Sequence, residues 1–246
     1  MRAVSAWITG AHGFIGRHLT RKLRADGYGV AGIGHGAWPD VEAAQWGLSF
    51  WLNGEISASN LEQMRRLFGL PDMVFHLAGG SSVGAAIANP YEDFTRTVVS
   101  TAELLEWLRQ HSPATRLVAV SSAAVYGSAH AGPIAEGARL SPFSPYGTHK
   151  LMMEELCRSY ADSFGLKVAL PRLFSVYGSG LKKQLLWDLC GKIAAGGRVE
   201  LGGSGNELRD WIDVRDVAHG LGWMGQLASV DAPAINLATG IGTAVR

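Results

Sequence analysis

Short β-rich runs alternate with helical patterns at least four times between residues 3 and 174. Repeated strand, helix, strand units build parallel strand pairs, so the order implies an α/β fold: a doubly wound parallel sheet with helices on both faces. "AVSAWIT" (3–9) reads as a strand and 14–26 as a helix stopped by "GYG", with "VAGIG" (30–34) as the second strand. "NLEQMRRLF" (60–68) reads as a helix capped by Asn60, followed by the strand "MVFHLAG" (73–79). Residues 90–111 hold a long helix, and "TRLVAVSSAAVYG" (115–127) enters a buried strand that ends in small polar residues. A proline loop opens the segment 141–165 and becomes a helix, and "KVALPRLF" (167–174) is the last clear strand. After about residue 175 the pattern loosens and turns glycine-rich, as in 194–210, which suggests a smaller appended region.

Composition closes off several alternatives. The 246 residues suffice for a substantial core, and 47% hydrophobic with 17% charged residues describes a globular chain rather than a disordered one. A net charge of +1 gives no electrostatic reason to expect nucleic acid as a partner. The eight histidines form no HExxH and lie at no zinc-finger spacing from a cysteine, so no metal site is expected. Cys157 and Cys190 form no CxxC pair and read as buried small apolar residues in a reducing compartment. No stretch approaches the ~20 apolar residues that a bilayer requires, and no convincing cleavage site follows the first residues; a cytoplasmic location with no membrane partner is expected.

"WITGAHGFIGRHL" (7–19) places Gly10, Gly13 and Gly16 between the first strand and the first helix. In that setting the first glycine permits a tight turn, the second a close approach of pyrophosphate to the backbone, and the third close packing of helix on sheet. Free N–H groups at the helix start then face phosphate oxygens. A carboxylate at the end of the second strand usually binds the adenosine ribose of NAD. Here Gly34 and His35 stand there instead. Loss of the carboxylate removes repulsion against a 2′-phosphate and His35 can donate to one, which leans the choice of NAD or NADP towards NADP.

Tyr146 and Lys150, in "SPYGTHK", stand four apart at a helix start and share one of its faces. An ammonium near a phenol favours phenolate, and so lowers a pKa of about 10 towards a range useful for proton transfer. Lys150 can also reach a cofactor ribose. Ser122 lies at the carboxyl end of a strand, where ligands of doubly wound sheets bind, and its hydroxyl can hold the oxygen that Tyr146 protonates or deprotonates.

"TGAHGFIG", "HLAGGSSV", "VSSAAVYG", "SPYGTHK", "PRLFSVYG" and "RDWIDVRDVA" occur in this order and spacing along essentially the whole chain. In this the sequence resembles the extended short-chain dehydrogenase/reductases, the NAD(P)-dependent sugar-nucleotide epimerase/dehydratase family. The resemblance implies a Rossmann dinucleotide-binding domain over 1–170 and a substrate-binding region over 171–246, the latter incomplete relative to the family because relatives continue further past "INLATGIG". It implies Tyr146 as catalytic acid/base, Lys150 as its tuner and ribose ligand, and Ser122 as the holder of the sugar oxygen. The cofactor would be lined by Gly10, Gly13, Phe14, Ile15, Gly16, His35, Glu55, Ile56, Leu77, Ala78 and Gly79, with Glu55 where the family has an Asp near the adenine. Ser81, Ser82, Ser122, Ser175 and Arg209 would meet a nucleotide-sugar substrate, Arg209 at its diphosphate. Many relatives are homodimers through their long helices, and Leu151, Met152, Leu156 and Tyr160 offer such a face, although a core stripe is the simpler reading.

Departures from the family narrow the reaction. Dehydratases carry an Asp-Glu pair after the hydroxyl residue, and here Ala123 and Ala124 stand there. This disfavours dehydration and leaves 4-epimerisation through a keto intermediate, with NADPH-dependent reduction of a keto-sugar nucleotide as the alternative. Ser175 and Thr97 replace frequent asparagines, and a hydroxyl retains one hydrogen bond of the two amide functions. A non-catalytic nucleotide sensor on the same fold is the reading from another class, weakened by the retention of Ser122, Tyr146 and Lys150 together.

Overall fold

The computed structural model describes residues 4–130, 132–196 and 204–244. Ala3 of the expected first strand and part of the glycine-rich stretch 194–210 lie outside them. In chain order the elements are β1 (Ser5–Thr9), α1 (Phe14–Ala25), β2 (Gly29–Gly34), α2 (Asp40–Gln45), β3 (Phe50–Asn53), α3 (Ala58–Phe68), β4 (Met73–His76), α4 (Val83–Ala88), α5 (Pro90–Phe94) and α6 (Ser100–His111). They continue with β5 (Arg116–Ala119), β6 (Ser121–Ser122), α7 (Pro145–Phe164), β7 (Lys167–Leu173), β8 (Ser175–Tyr177), α8 (Gln184–Ala195), β9 (Leu208–Asp213), α9 (Val214–Leu227), β10 (Ala234–Leu237) and β11 (Gly242–Ala244).

The principal sheet runs β10-β7-β5-β4-β1-β2-β3, all its pairings parallel, with β6 also paired to β7. All five β1 residues are buried, as a strand covered on both faces requires. Their side chains alternate: Ala6 and Ile8 join the layer that holds Leu19 and Leu23 of α1 and Val217 and Leu221 of α9. Trp7 points to the other layer, with Leu61 and Met64 of α3, Leu104 and Leu105 of α6, and Met153 and Cys157 of α7. This is the doubly wound architecture expected from the alternating pattern. Cys190, expected to be buried like Cys157, is exposed, because α8 buries none of its residues.

Strand order reverses at β1, which has β2 on one side and β4 on the other. The loops after β1 and β4 therefore part at a crevice outside the carboxyl ends of the strands, where ligands of such sheets bind. Within 171–246, β10 and α9 pack with the principal sheet, whereas β8, β9 and β11 form a second, three-stranded sheet. Among the described residues no helix is long and apolar enough to cross a membrane.

Local chemistry moved several expected boundaries. Helix α3 starts at Ala58 with Ser57 as its cap, the Ser57 hydroxyl accepting from Asn60 N at 3.4 Å. Asn60, expected to be the cap, instead donates from Nδ2 to the Glu55 carbonyl at 2.8 Å. The helix expected over 90–111 is interrupted by a π turn at Thr95–Val99. The strand that the segment 115–127 enters ends in small polar residues as expected, at Ser122, whose hydroxyl accepts from Ala124 N and caps a 3₁₀ turn at Ala123–Val125. β3, short and rich in aromatics, had no clean alternation to announce it.

Candidate functional site

At the crevice the glycine turn is built as the sequence suggests. Gly10 takes a left-handed φ of 73° and its carbonyl accepts from Gly13 N at 3.0 Å. A Cβ on Gly16 would lie 2.4 Å from the Gly10 carbonyl oxygen and 2.7 Å from Ala11 Cα, so only glycine lets α1 sit this close to the turn. The N-terminus of α1 has no side-chain cap and no acidic residue in its first turn, which leaves its N–H groups and the positive end of its dipole available to an anion. Replacement Gly16→Ala must push the turn backbone out of place. Loss of dinucleotide affinity on the order of 10²-fold is expected, measured by titrating the stripped protein with NAD and NADP.

The β4 loop comes up against this turn. The Leu77–Ala78 backbone would touch a Cβ on Gly10 at 3.1–3.2 Å. A buried chain of hydrogen bonds fixes it: Ala78 N donates to Thr9 Oγ1 at 3.1 Å, Thr9 Oγ1 meets His76 Nδ1 at 2.7 Å, and His76 Nε2 meets Thr101 Oγ1 at 2.9 Å. Thr101 then donates to the Thr97 carbonyl at 2.6 Å. Such a chain suits a neutral imidazole with one donor and one acceptor nitrogen. Burial, with a smaller contribution from the Lys150 charge, lowers the His76 pKa to about 3 and keeps it neutral. Thr97, in the π turn, accepts from Gly80 N at 2.8 Å, so the hydroxyl that stands for an asparagine keeps one hydrogen bond to this loop.

Ser122, Tyr146 and Lys150 converge beside that loop. The 3₁₀ turn after Ser122 docks on the first turn of α7, where a Cβ on Gly147 would lie 2.6 Å from the Ala124 carbonyl oxygen. Ser122 is near enough to the Tyr146 phenol to pull its pKa down. Lys150 is 4% exposed, donates from Nζ to the Val120 carbonyl at 2.9 Å, and would lie 3.3 Å from a Cβ on Gly79. Burial is the largest influence on both groups. It pushes the Tyr146 phenol above its ordinary value, against a downward pull from Ser122 and with a further upward push from the Asp93 carboxylate. It lowers Lys150 to about 8, the negative charges of Asp93 and Glu154 opposing it. The expected drop in the phenol pKa is therefore reversed in the protein alone, because desolvation of the phenolate outweighs its neighbours.

The remaining expected residues occupy three places. Phe14 and Ile15 begin α1 and pack, half-buried, on the core. His35 and Glu55 are exposed beyond β2 and β3, while Ile56 is buried. Ser82 accepts from Ala85 N as the cap of α4. Ser81 accepts from Lys183 Nζ at 2.7 Å and, through its carbonyl, from Gln184 Nε2 at 3.4 Å. Lys183 and Gln184 thus tie the start of α8 to the loop expected to meet substrate. Neither was anticipated, since "LKKQLL" carries no motif. Ser175 and Arg209 lie on the second sheet, in the paired strands β8 and β9. The Asp210 carboxylate accepts from Thr239 N, Thr239 Oγ1 and Gly240 N at 2.7–2.9 Å.

The site fits a nicotinamide dinucleotide by its geometry: a glycine cradle that a Cβ would fill, an uncapped helix start, and a buried lysine against the β4 loop. Comparison with known proteins agrees. The model of the NAD dependent epimerase/dehydratase family matches residues 6–238. UDP-glucose 4-epimerase 4 of Oryza sativa subsp. japonica is 31% identical over 97% of this chain and 73% of its own. Among solved structures, UDP-glucose 4-epimerase from Thermotoga maritima with UDP-glucose matches with a TM-score of 0.84 at 28% identity, covering 98% of this chain and 79% of that one. UDP-glucose 4-epimerase from Brucella ovis in complex with NAD matches at 0.87 and 26%, covering 99% and 80%. The chain is an enzyme of the NAD dependent epimerase/dehydratase family.

Proposed function

We propose that this enzyme inverts the C4 hydroxyl of a UDP-sugar through a 4-keto intermediate, with Ser122, Tyr146 and Lys150 as its catalytic residues. The observation that carries the reading is that the turn after Ser122 docks on the first turn of α7, the helix that bears Tyr146 and, four residues on, Lys150, with alanines at 123 and 124. That set can move one hydroxyl proton, and Ala123 and Ala124 offer no second acid or base with which to expel water. A bound nicotinamide would supply reversible hydride exchange with the sugar carbon. Tyr146 removes the C4 hydroxyl proton as the keto group forms and gives it back as the hydroxyl reforms. Ser122 holds that oxygen, and Lys150 supplies positive charge and a ribose contact. The first turn of α1 would hold the pyrophosphate, Ala78 and Gly79 would face the ring end, and Ser81, Ser175 and Arg209 would orient the nucleotide sugar.

Relatives named as UDP-glucose 4-epimerases and a neighbour solved with NAD support this reading over reduction. The end of β2 supports a second one: with His35 exposed and no carboxylate after Gly34, the ribose site suits NADP, as an NADPH-dependent keto-sugar reductase would need. Mass spectrometry of nucleotide released on denaturation separates them. Retained NAD with UDP-glucose/UDP-galactose interconversion and no net redox change supports the epimerase; an empty site that prefers NADPH supports the reductase. The exposed apolar side chain of Met152, beside half-buried Leu151, Leu156 and Tyr160 on α7, supports a homodimer, which sedimentation would detect. A cytoplasmic location accords with a soluble nucleotide-sugar substrate.

A further inference from the structure

Behind the Tyr146–Lys150 pair lies a buried ionisable couple that the proposed chemistry does not use. Asp93, at 5% exposure on α5, receives His149 Nδ1 at 2.6 Å from α7. Phe94 meets the imidazole edge-on at 5.5 Å and shields it. The other carboxylate oxygen of Asp93 lies 1.7 Å from where a Cβ on Gly80 would be, so the acid is seated against the β4 loop itself. That loop also meets Thr97 through Gly80 N and packs beside Lys150 Nζ through Gly79. Asp93, His149, the Gly79–Gly80 peptide, Thr97 and Lys150 therefore form one continuous cluster.

Resting on the assignment of Tyr146 and Lys150 above, we propose that Asp93, oriented by His149, is a positioning residue for catalysis: it is the buried counter-charge to Lys150 and the clamp that seats the Gly79–Gly80 peptide at the site. The groups around Lys150 leave this role to Asp93. On α7, Tyr146 is neutral as a phenol, the buried Cys157 thiol is pushed up to about 12, and Glu154 is engaged by Arg172, Arg158 and Ser121. From β4, His76 is held neutral. Asp93, on α5, is the larger of the two carboxylate influences that oppose the loss of the Lys150 proton, and it also raises Tyr146.

The sign of the test follows. A nearby negative charge favours the protonated form of both groups, so its removal lowers both pKa values. In Asp93→Asn the amide retains the bulk against Gly80 and an acceptor for His149. Both limbs of the kcat–pH profile are expected to move to lower pH by about one unit, with kcat down about 10- to 100-fold and cofactor still bound. Asp93→Ser, smaller beside Gly80, should give the same displacement and serves if the amide fails to fold. A folded variant whose profile stays where the wild type has it, whatever its amplitude, overturns the proposal and leaves a strut between α5 and α7. Tyr146→Phe assayed alongside keeps the two readings apart: full turnover in that variant refutes the catalytic assignment itself, not the role of Asp93 alone.

Discussion

Tyr146→Phe is expected to lower kcat by about 10²–10⁴-fold, the contribution of a positioned acid/base, while the stripped protein still binds NAD. In the proposed mechanism the phenol hydroxyl exchanges the proton with the sugar oxygen, because Lys150 is directed at the Val120 carbonyl. Loss of the hydroxyl leaves the ring to fill its half-buried position, so the fold and the glycine turn are untouched. The effect should therefore fall on kcat and kcat/KM together, the pattern of an interaction made in the transition state. Steady-state kinetics with a UDP-hexose pair and a cofactor titration check it. Unchanged turnover would remove Tyr146 from the mechanism and revive the sensor reading. The raised phenol pKa adds a second readout. In cofactor-free protein Tyr146 should ionise above the ordinary phenol value of about 10, seen as the difference between wild-type and Tyr146→Phe ultraviolet titrations.

The sequence made the nucleotide half of this site readable because the backbone geometry demands particular residues. Gly10 and Gly16 are required by a positive φ and by a contact that excludes a Cβ, and such requirements leave an unambiguous mark in the chain. The parallel sheet was legible for a similar reason: strands buried on both faces must be apolar runs, as β1 is. What escaped is set by distant residues. Asp93 and His149 are 56 positions apart, Lys183 and Ser81 are 102 apart, and each pair meets only after the helices have packed. The direction of the Tyr146 shift escaped for the same reason, because helical spacing predicts a neighbour but not the dehydration of the cavity around it. Asn60 was misread as a cap because Ser57, three residues earlier, does the same work with a shorter side chain.

The largest effect on stability is expected from Arg172→Met. Arg172 of β7 is 2% exposed and meets Glu154 of α7, fully buried, through Nε at 2.9 Å and through a second nitrogen at 2.7 Å. The same guanidinium donates to Tyr126 Oη at 2.8 Å and to the Glu136 carbonyl at 3.0 Å. Removal of one partner leaves a carboxylate in the interior, and breaking such a pair costs about 3–5 kcal/mol. Arg158 and Ser121 still reach Glu154, so the loss should fall at the lower end of that range. The pH dependence identifies the cause. In the wild type hydrogen bonds and charge from Arg172 and its neighbours outweigh burial and hold the Glu154 pKa below its ordinary value, so the pair stabilises the fold above that value and loses its contribution as pH falls. Without Arg172 burial prevails and the folded-state pKa rises, so the variant is penalised most at neutral pH. Urea unfolding of cofactor-stripped wild type and variant should show a gap that narrows on acidification through the carboxylate range; a gap independent of pH would assign the loss to packing alone. Replacing both partners by apolar residues, Arg172→Met with Glu154→Leu, should restore part of the stability, because no charge is then left without its counterpart. Restored stability need not restore turnover: Glu154 stands on the helix that carries Tyr146 and Lys150, so the ion pair also fixes where that helix sits against β7.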